Sequence, residues 1–197
     1  MIESMRDLIG QLLQPSEDVW RTALQTLPDG ALSADEAICG EWTARDLVSH
    51  VNGQARRYRI RASEGDAEAA EATRTMDFGS PEPRSIFETE EAYLRAFLAN
   101  LEPTTEVQHS VGVLTAEELL TLRCLEMVLH ALDLEHAGAV PELSEALALK
   151  LLDTGRGIIE RLRREGTIGP AQSPADGSAR AAPVSYTHLR AHETPEH

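Results

Sequence analysis

Cysteine is scarce in this chain. Of its 197 residues only Cys39 and Cys124 are thiols. They form no Cys-x-x-Cys pair, which excludes a disulfide framework and a thiolate zinc ribbon and suits a reducing compartment where both stay free. Positive charge is scarce as well: 18 Lys and Arg face 33 Asp and Glu, a formal net charge of −15. A surface of that balance lacks the clustered basic patch that phosphate backbones and anionic membranes require. Long apolar runs are missing too, since none approaches the roughly 18 residues of a membrane span. Residues 1–7 carry neither the basic flank nor the cleavage pattern of a secretory signal. The expectation is a cytoplasmic protein with no nucleic-acid and no membrane partner.

What the chain does have is helical periodicity. With 42% hydrophobic residues it can bury one core, and its length favours a single domain, set here at residues 1–183. Met5, Leu8, Ile9, Leu12 and Leu13 recur at helical spacing, and Val19, Trp20, Leu24 and Leu27 resume it after Pro15. The proline predicts a kink or two consecutive helices. Thr43 followed by Asp46 predicts a capped helix with Leu47, Val48, His50 and Val51 on or near its inner side. Residues 62–84, rich in Ala, Glu, Asp, Gly, Ser and Pro, read as a long crossover of the kind that lets two bundle helices run parallel. Ser85 with Glu88 predicts the next helix start, and a short extended piece is expected around residues 107–113. Thr115 with Glu118 opens a largely apolar helix that Gly138 ends, and a last helix is expected from roughly 141 to 164. The fold class is all-α.

The last residues stand apart. Residues 184–197 resemble a translated sequencing adaptor and are expected not to be native. Their His188, His192 and Glu193 imitate a metal motif and are set aside for that reason.

Within the apolar helix, Glu126 and His130 are four apart, hence on one face about one turn from each other. With His50 from another helix they form a His2Glu set, three protein ligands that leave one position of a tetrahedral ion open, the pattern of catalytic rather than structural zinc. A Glu four residues before a His is also a common helix-supporting pair. Against that plainer reading stands the setting, because Glu126 is flanked by Leu122, Leu125, Val128 and Leu129, and an inward carboxylate is costly without a partner. Asp133, three residues beyond His130, either orients a ligand imidazole or is a solvated or helix-capping residue. Cys39 is read as a packed thiol, Trp42 as a core anchor beneath the helix entry, and Arg45 and Arg56 as surface partners of the abundant carboxylates. His109 and His136 are read as surface residues.

Two segments carry a resemblance to a known family. Cys39-Gly40-Glu41-Trp42-Thr43-Ala44-Arg45-Asp46-Leu47-Val48-Ser49-His50 resembles the first signature of the mycothiol-dependent maleylpyruvate isomerase N-terminal domain family, in the DinB-like superfamily, and Glu126-Met127-Val128-Leu129-His130-Ala131-Leu132-Asp133-Leu134 resembles the second. The resemblance spans residues 19–176. It implies a DinB-like four-helix bundle with a long crossover and an additional C-terminal helix, and a divalent metal ion held by His50, Glu126 and His130. Zinc is the first candidate, with nickel, iron and manganese also compatible with such ligands. Mycothiol or a similar small thiol is implied as cosubstrate, with an electrophile as the second partner, in a transferase or isomerase reaction. Two departures stand out: Leu132 replaces a usual aromatic, and the second domain of the isomerase type is absent. Rival readings are a non-catalytic metal-binding stress or sensor protein and a metal-free structural bundle. A homodimer is compatible with the sequence, which does not fix an oligomeric state. A chain ending at Pro183 is expected to melt at the same temperature and bind the same metal complement as the full chain. Loss of metal on truncation, measured by elemental analysis, would give the tail a role.

Overall fold

The computed structural model describes residues 4–166. In chain order the elements are α1 (Met5–Leu8), α2 (Gln14–Thr26), β1 (Ala37–Cys39), β2 (Trp42–Thr43), α3 (Ala44–Glu64), α4 (Ala67–Ala72), α5 (Pro83–Leu98), β3 (Glu106–His109), β4 (Gly112–Thr115), α6 (Ala116–Asp133) and α7 (Glu145–Arg164). The architecture is mostly helical, and no helix among the described residues is long and apolar enough to cross a membrane. The all-α expectation needs one correction: two antiparallel two-stranded ribbons, β1–β2 and β3–β4, are present. The second lies in the segment expected to be extended. The first was not legible, because strands of three and two residues are too short to show alternation. The expected tail at residues 184–197 lies outside the described residues, as does the domain end at 183.

Local chemistry sets the helix starts. Ser4, Thr43 and Thr115 each accept a hydrogen bond from the N–H three residues on, and Asp7, Asp46 and Glu118 reach back to the cap's own N–H. Each box satisfies two otherwise orphaned donors. Pro15 is accommodated by a π-helical turn (Ile9–Leu13) joining α1 to α2. That wider turn ends just before the residue with no N–H to give, so the helical path continues where a regular α-helix would clash. The expected long crossover is shorter than residues 62–84. Asp66 accepts from the Ala69 N–H at 2.8 Å and caps the alanine-rich α4, whose propensity the neighbouring Gly, Ser and Pro had masked. α5 begins at Pro83 rather than Ser85, since proline suits the first turn, where its missing N–H costs nothing. α7 begins at Glu145, capped by Ser144, rather than near Pro141. α6 ends at Asp133 and passes through a 3-10 turn to Gly138, whose φ of 88° closes it as expected.

α3 packs against α5, α2 against α6, α6 against both α3 and α7. Between them lie Leu47, Val48 and Val51 of α3, Leu119, Leu120, Leu125 and Val128 of α6, and the buried Trp20 and Phe87. Asn52 ties three parts together. Its carbonyl accepts from Trp20 Nε1 at 3.2 Å, and its amide donates to the Phe78 and Pro83 carbonyls, each at 2.9 Å. The Phe78 N–H donates in turn to Ser49 Oγ at 2.9 Å. The chain before α5 is thereby strapped along α3, beside the helix turn that bears His50.

The core also holds charge. Arg123 and Glu91 are both fully buried, with Arg123 Nη2 2.7 Å from Glu91 Oε2. Glu17 is equally buried, its Oε2 3.0 Å from Arg21 Nη2 and 3.3 Å from Arg95 Nη1, while its Oε1 has no hydrogen-bond partner. Burial, then the nearby Glu91 charge, raise the Glu17 carboxyl to about 7. A carboxyl raised in the folded state binds its proton more tightly there than when unfolded. Its contribution to stability is therefore full below the ordinary value of 4.5 and lost as pH rises through about 7. Glu17→Gln is expected to be more stable than the wild type by roughly 1–3 kcal/mol at pH 8, with the gap closing toward pH 5. Urea melts at the two pH values check this, and an equal gap at both would refute it.

Candidate metal centre

Two helices, each launched from a ribbon, deliver the polar residues. β2 ends at Thr43, the cap of α3, and His50 follows two turns later; β4 ends at Thr115, the cap of α6, which carries Glu126 and His130. The imidazoles of His50 and His130 meet edge to face, with centroids 5.5 Å apart and planes at 85°. Trp42 lies against both, its ring 4.6 Å from that of His50 and 6.3 Å from that of His130. Half-buried and packed against the core at the helix entry as expected, it also borders the two histidine rings.

The electrostatics hold His50 neutral. Burial first, then His130 and the Arg57, Arg74 and Arg123 guanidinium groups, push its imidazole well below the ordinary histidine value. His130 is oriented from behind, with Nδ1 2.9 Å from Asp133 Oδ2. A carboxylate only accepts, so Nδ1 carries a hydrogen, and Nε2 is the nitrogen left to present a lone pair to an ion. The Cys39 thiol donates to the same Asp133 oxygen at 3.6 Å. Cys39 is thus buried, as expected, but also polar in its contact, because β1 packs on the turn that follows α6.

Glu126 faces a different set of partners. Its Oε1 accepts from Gln54 Nε2 at 3.0 Å, and its Oε2 lies 3.9 Å from Arg123 Nη1. Gln54 Oε1 accepts from Arg57 Nε at 2.7 Å, and Arg57 Nη2 donates to the His50 carbonyl at 2.8 Å. Arg123 also donates from Nη1 to the Val51 carbonyl at 2.9 Å. Among the described residues no three His, Cys, Asp or Glu side chains are gathered closely enough to hold a metal ion. The structure therefore brings His50 and His130 together with Asp133 behind, and leaves the Glu126 carboxylate with Gln54 and Arg123. In chemical type the donors fit a divalent cation: one neutral imidazole, a second with its outer nitrogen held by a carboxylate, and a further carboxylate one turn away on the same helix.

The remaining expectations divide. Arg45 pairs with Asp77 on the surface. Arg56 grips Glu90, with Nε 3.1 Å from Oε2, and that carboxylate is largely buried. His136 is exposed. His109 is not a surface residue: its ring stacks edge-on against Tyr58 at 4.7 Å, and burial lowers it to about 4. The β3–β4 ribbon turns it inward onto α3, which its sequence neighbours gave no reason to expect. Sequence reasoning missed Gln54, Arg57 and Arg123. The signal was present, since Gln54 and Arg57 stand four and seven residues after His50 on one helical stripe, and Arg123 stands three before Glu126 in an apolar run.

A search of curated proteins and one of solved structures return no match. A family model does match: that of the mycothiol maleylpyruvate isomerase N-terminal domain, over residues 13–135. This span contains the side chains of the site, from Cys39 and Trp42 through His50 and Gln54 to Glu126, His130 and Asp133, and covers more than half of the chain. With that match, the chain belongs to the mycothiol maleylpyruvate isomerase N-terminal domain family.

Proposed function

We propose that this protein is a metal-dependent enzyme that joins a small thiol to an electrophile, or isomerises the electrophile through it, with His50, Glu126 and His130 holding a divalent ion. The observation that carries this reading is the meeting of two imidazoles from separate helices, 5.5 Å apart, with His130 Nδ1 fixed by Asp133. When bound, the ion would lower the pKa of a thiol at its open position and hold it as a thiolate at neutral pH. The chain's own residues prepare that position. Burial keeps His50 unprotonated, so its nitrogen is available without first losing a proton. Asp133 selects the tautomer and angle of His130. Trp42 walls the two rings on one side and limits water there. Mycothiol is the family-implied thiol, zinc the first ion to test, and the cell interior the expected location. In the same reading α2, α3, α5 and α6 form the DinB-like four-helix bundle, and α7 is the additional C-terminal helix.

The protein purified without an immobilised-metal column is expected to take up one equivalent of Zn2+ or Co2+. His50→Ala and His130→Ala are expected to lose that uptake while still folding. In a Cys39→Ser/Cys124→Ala background, adding mycothiol or a simpler thiol to the Co2+ form is expected to produce the near-ultraviolet sulfur-to-metal charge-transfer band. A Co2+ protein that shows no new band with any thiol would leave the sensor reading standing instead. Absence of metal uptake would leave the structural bundle.

Asp133→Asn is expected to keep the fold and weaken metal affinity about ten- to a hundredfold, read by competition with a chelator. An unchanged constant would mean that the Asp133 hydrogen bond plays no part in ligation.

A further inference from the structure

We infer that Gln54, itself fixed by Arg57, is the positioning residue that sets the orientation of the Glu126 carboxylate relative to the histidine pair. This rests on the metal-centre reading given above. The geometry is a chain of hydrogen bonds joining α3 to α6, donated outward from Arg57 on both sides. Arg57 Nη2 donates to the His50 carbonyl at 2.8 Å and Arg57 Nε to Gln54 Oε1 at 2.7 Å, and Gln54 Nε2 donates to Glu126 Oε1 at 3.0 Å. A guanidinium has donors only. The oxygen of the Gln54 amide must therefore face Arg57, and its NH2 must face Glu126, so the amide cannot turn over without losing both bonds. Gln54 and Arg57 are each about 5% exposed, too dry for water to replace a lost partner.

The backbone makes room for this chain and for little else. A Cβ on Gly53 would lie 2.8 Å from Arg57 Nη1 and 2.7 Å from the Phe78 ring. Glycine at that position thus lets Arg57 fold back along α3 toward the His50 carbonyl while Phe78 closes over it. The other face of the carboxylate is set by Arg123, 3.9 Å from Glu126 Oε2 and anchored on Glu91 and the Val51 carbonyl. A fully buried ion pair such as Arg123–Glu91 is seldom worth more to stability than a well-packed apolar pair. Its place beside Glu126 gives it a second role, that of a fixed wall against which Gln54 holds the carboxylate.

The carboxylate so held belongs to the same turn-spaced pair as His130, and the chain that holds it begins at the backbone of His50. One relay therefore ties the Glu126 carboxylate to the backbone of the residue that bears the first imidazole. A shift of Arg57 displaces Gln54, and with it Glu126, without any direct contact to an ion.

The test uses Co2+ as the probe on the full chain, with two readouts: affinity by chelator competition, and the visible ligand-field spectrum, which reports the donors around the ion. Gln54→Glu keeps the acceptor for Arg57 and replaces the donor to Glu126 by a second carboxyl, which repels that carboxylate; Gln54→Leu removes both the acceptor and the donor. Both variants are expected to melt below the wild type but to stay folded at room temperature, to bind Co2+ about ten- to a hundredfold more weakly, and to show an altered visible spectrum. Gly53→Ala is expected to do the same by displacing Arg57. If Gln54→Leu fails to fold, Gln54→Glu alone decides. Wild-type affinity and spectrum in the folded Gln54→Glu variant, or tighter binding, would overturn the inference while leaving the metal centre intact. Failure of the wild type to bind Co2+ at all would overturn both.

Discussion

The burial of charge between α3, α5 and α6 is the constraint on which this structure turns. Arg123 has no exposed side-chain surface, and neither has Glu91. Removing one member of such a pair would leave an unpaired charge in an apolar interior, a loss of several kcal/mol in comparable cases. The guanidinium therefore fixes how three helices meet: it is rooted on α6, reaches Glu91 on α5, and donates to the Val51 carbonyl on α3. Apolar side chains around it supply most of the burial but little of the register. Leucine packs in many orientations, whereas a fork that makes three hydrogen bonds to two fixed acceptors does not.

From that fixed contact the site follows. Val51 is the residue after His50, and Glu126 is three residues after Arg123, so locking Arg123 to the Val51 carbonyl brings the two site-bearing turns alongside each other. The ribbons complete the arrangement. Each of the two helices begins at a threonine that ends a strand, and each cap is closed by an acid three residues on. β1 and β2 then carry Cys39 to Asp133 and Trp42 to the histidine rings. Local capping thus sets where the two helices start, and long-range charge pairing sets how they lie against each other, with His50 next to that contact in α3 and His130 two turns past it in α6.

The chemistry of the site depends on dryness as much as on residue type. Burial keeps His50 neutral, and the same low dielectric gives the Asp133–His130 and Gln54–Glu126 hydrogen bonds more weight than they would have in water. The net charge of −15 has little bearing here. Exposed carboxylates are screened over about 8–10 Å at physiological salt, while the buried groups answer to partners at 3 Å. The acidity that dominates the composition lies mostly on the surface, while the few buried charges, Glu17, Glu90 and Glu91 with Arg57 and Arg123, are governed by their close partners.

Much of this was written in the chain itself. The helix starts at Thr43 and Thr115, the stop at Gly138, and the spacing of His50, Glu126 and His130 are local features, and their geometry follows from 3.6 residues per turn and from the donors that a helix end leaves open. The Ala-rich α4 and the start at Pro83 were local too, but weak propensities surrounded by Gly, Ser and Pro do not declare themselves. The β1–β2 ribbon was illegible for a different reason: two or three residues cannot show a period. What only the tertiary structure decided is which polar side chains share a partner. Gln54 and Arg57 stand on the His50 stripe in sequence, yet nothing along the chain says that Gln54 meets Glu126, 72 residues away, or that Trp42 walls two histidines. A sequence fixes the face on which a side chain stands, because that is a matter of backbone periodicity. Its partner depends on how separate faces pack, and there the burial of Arg123 and Glu91 made the choice.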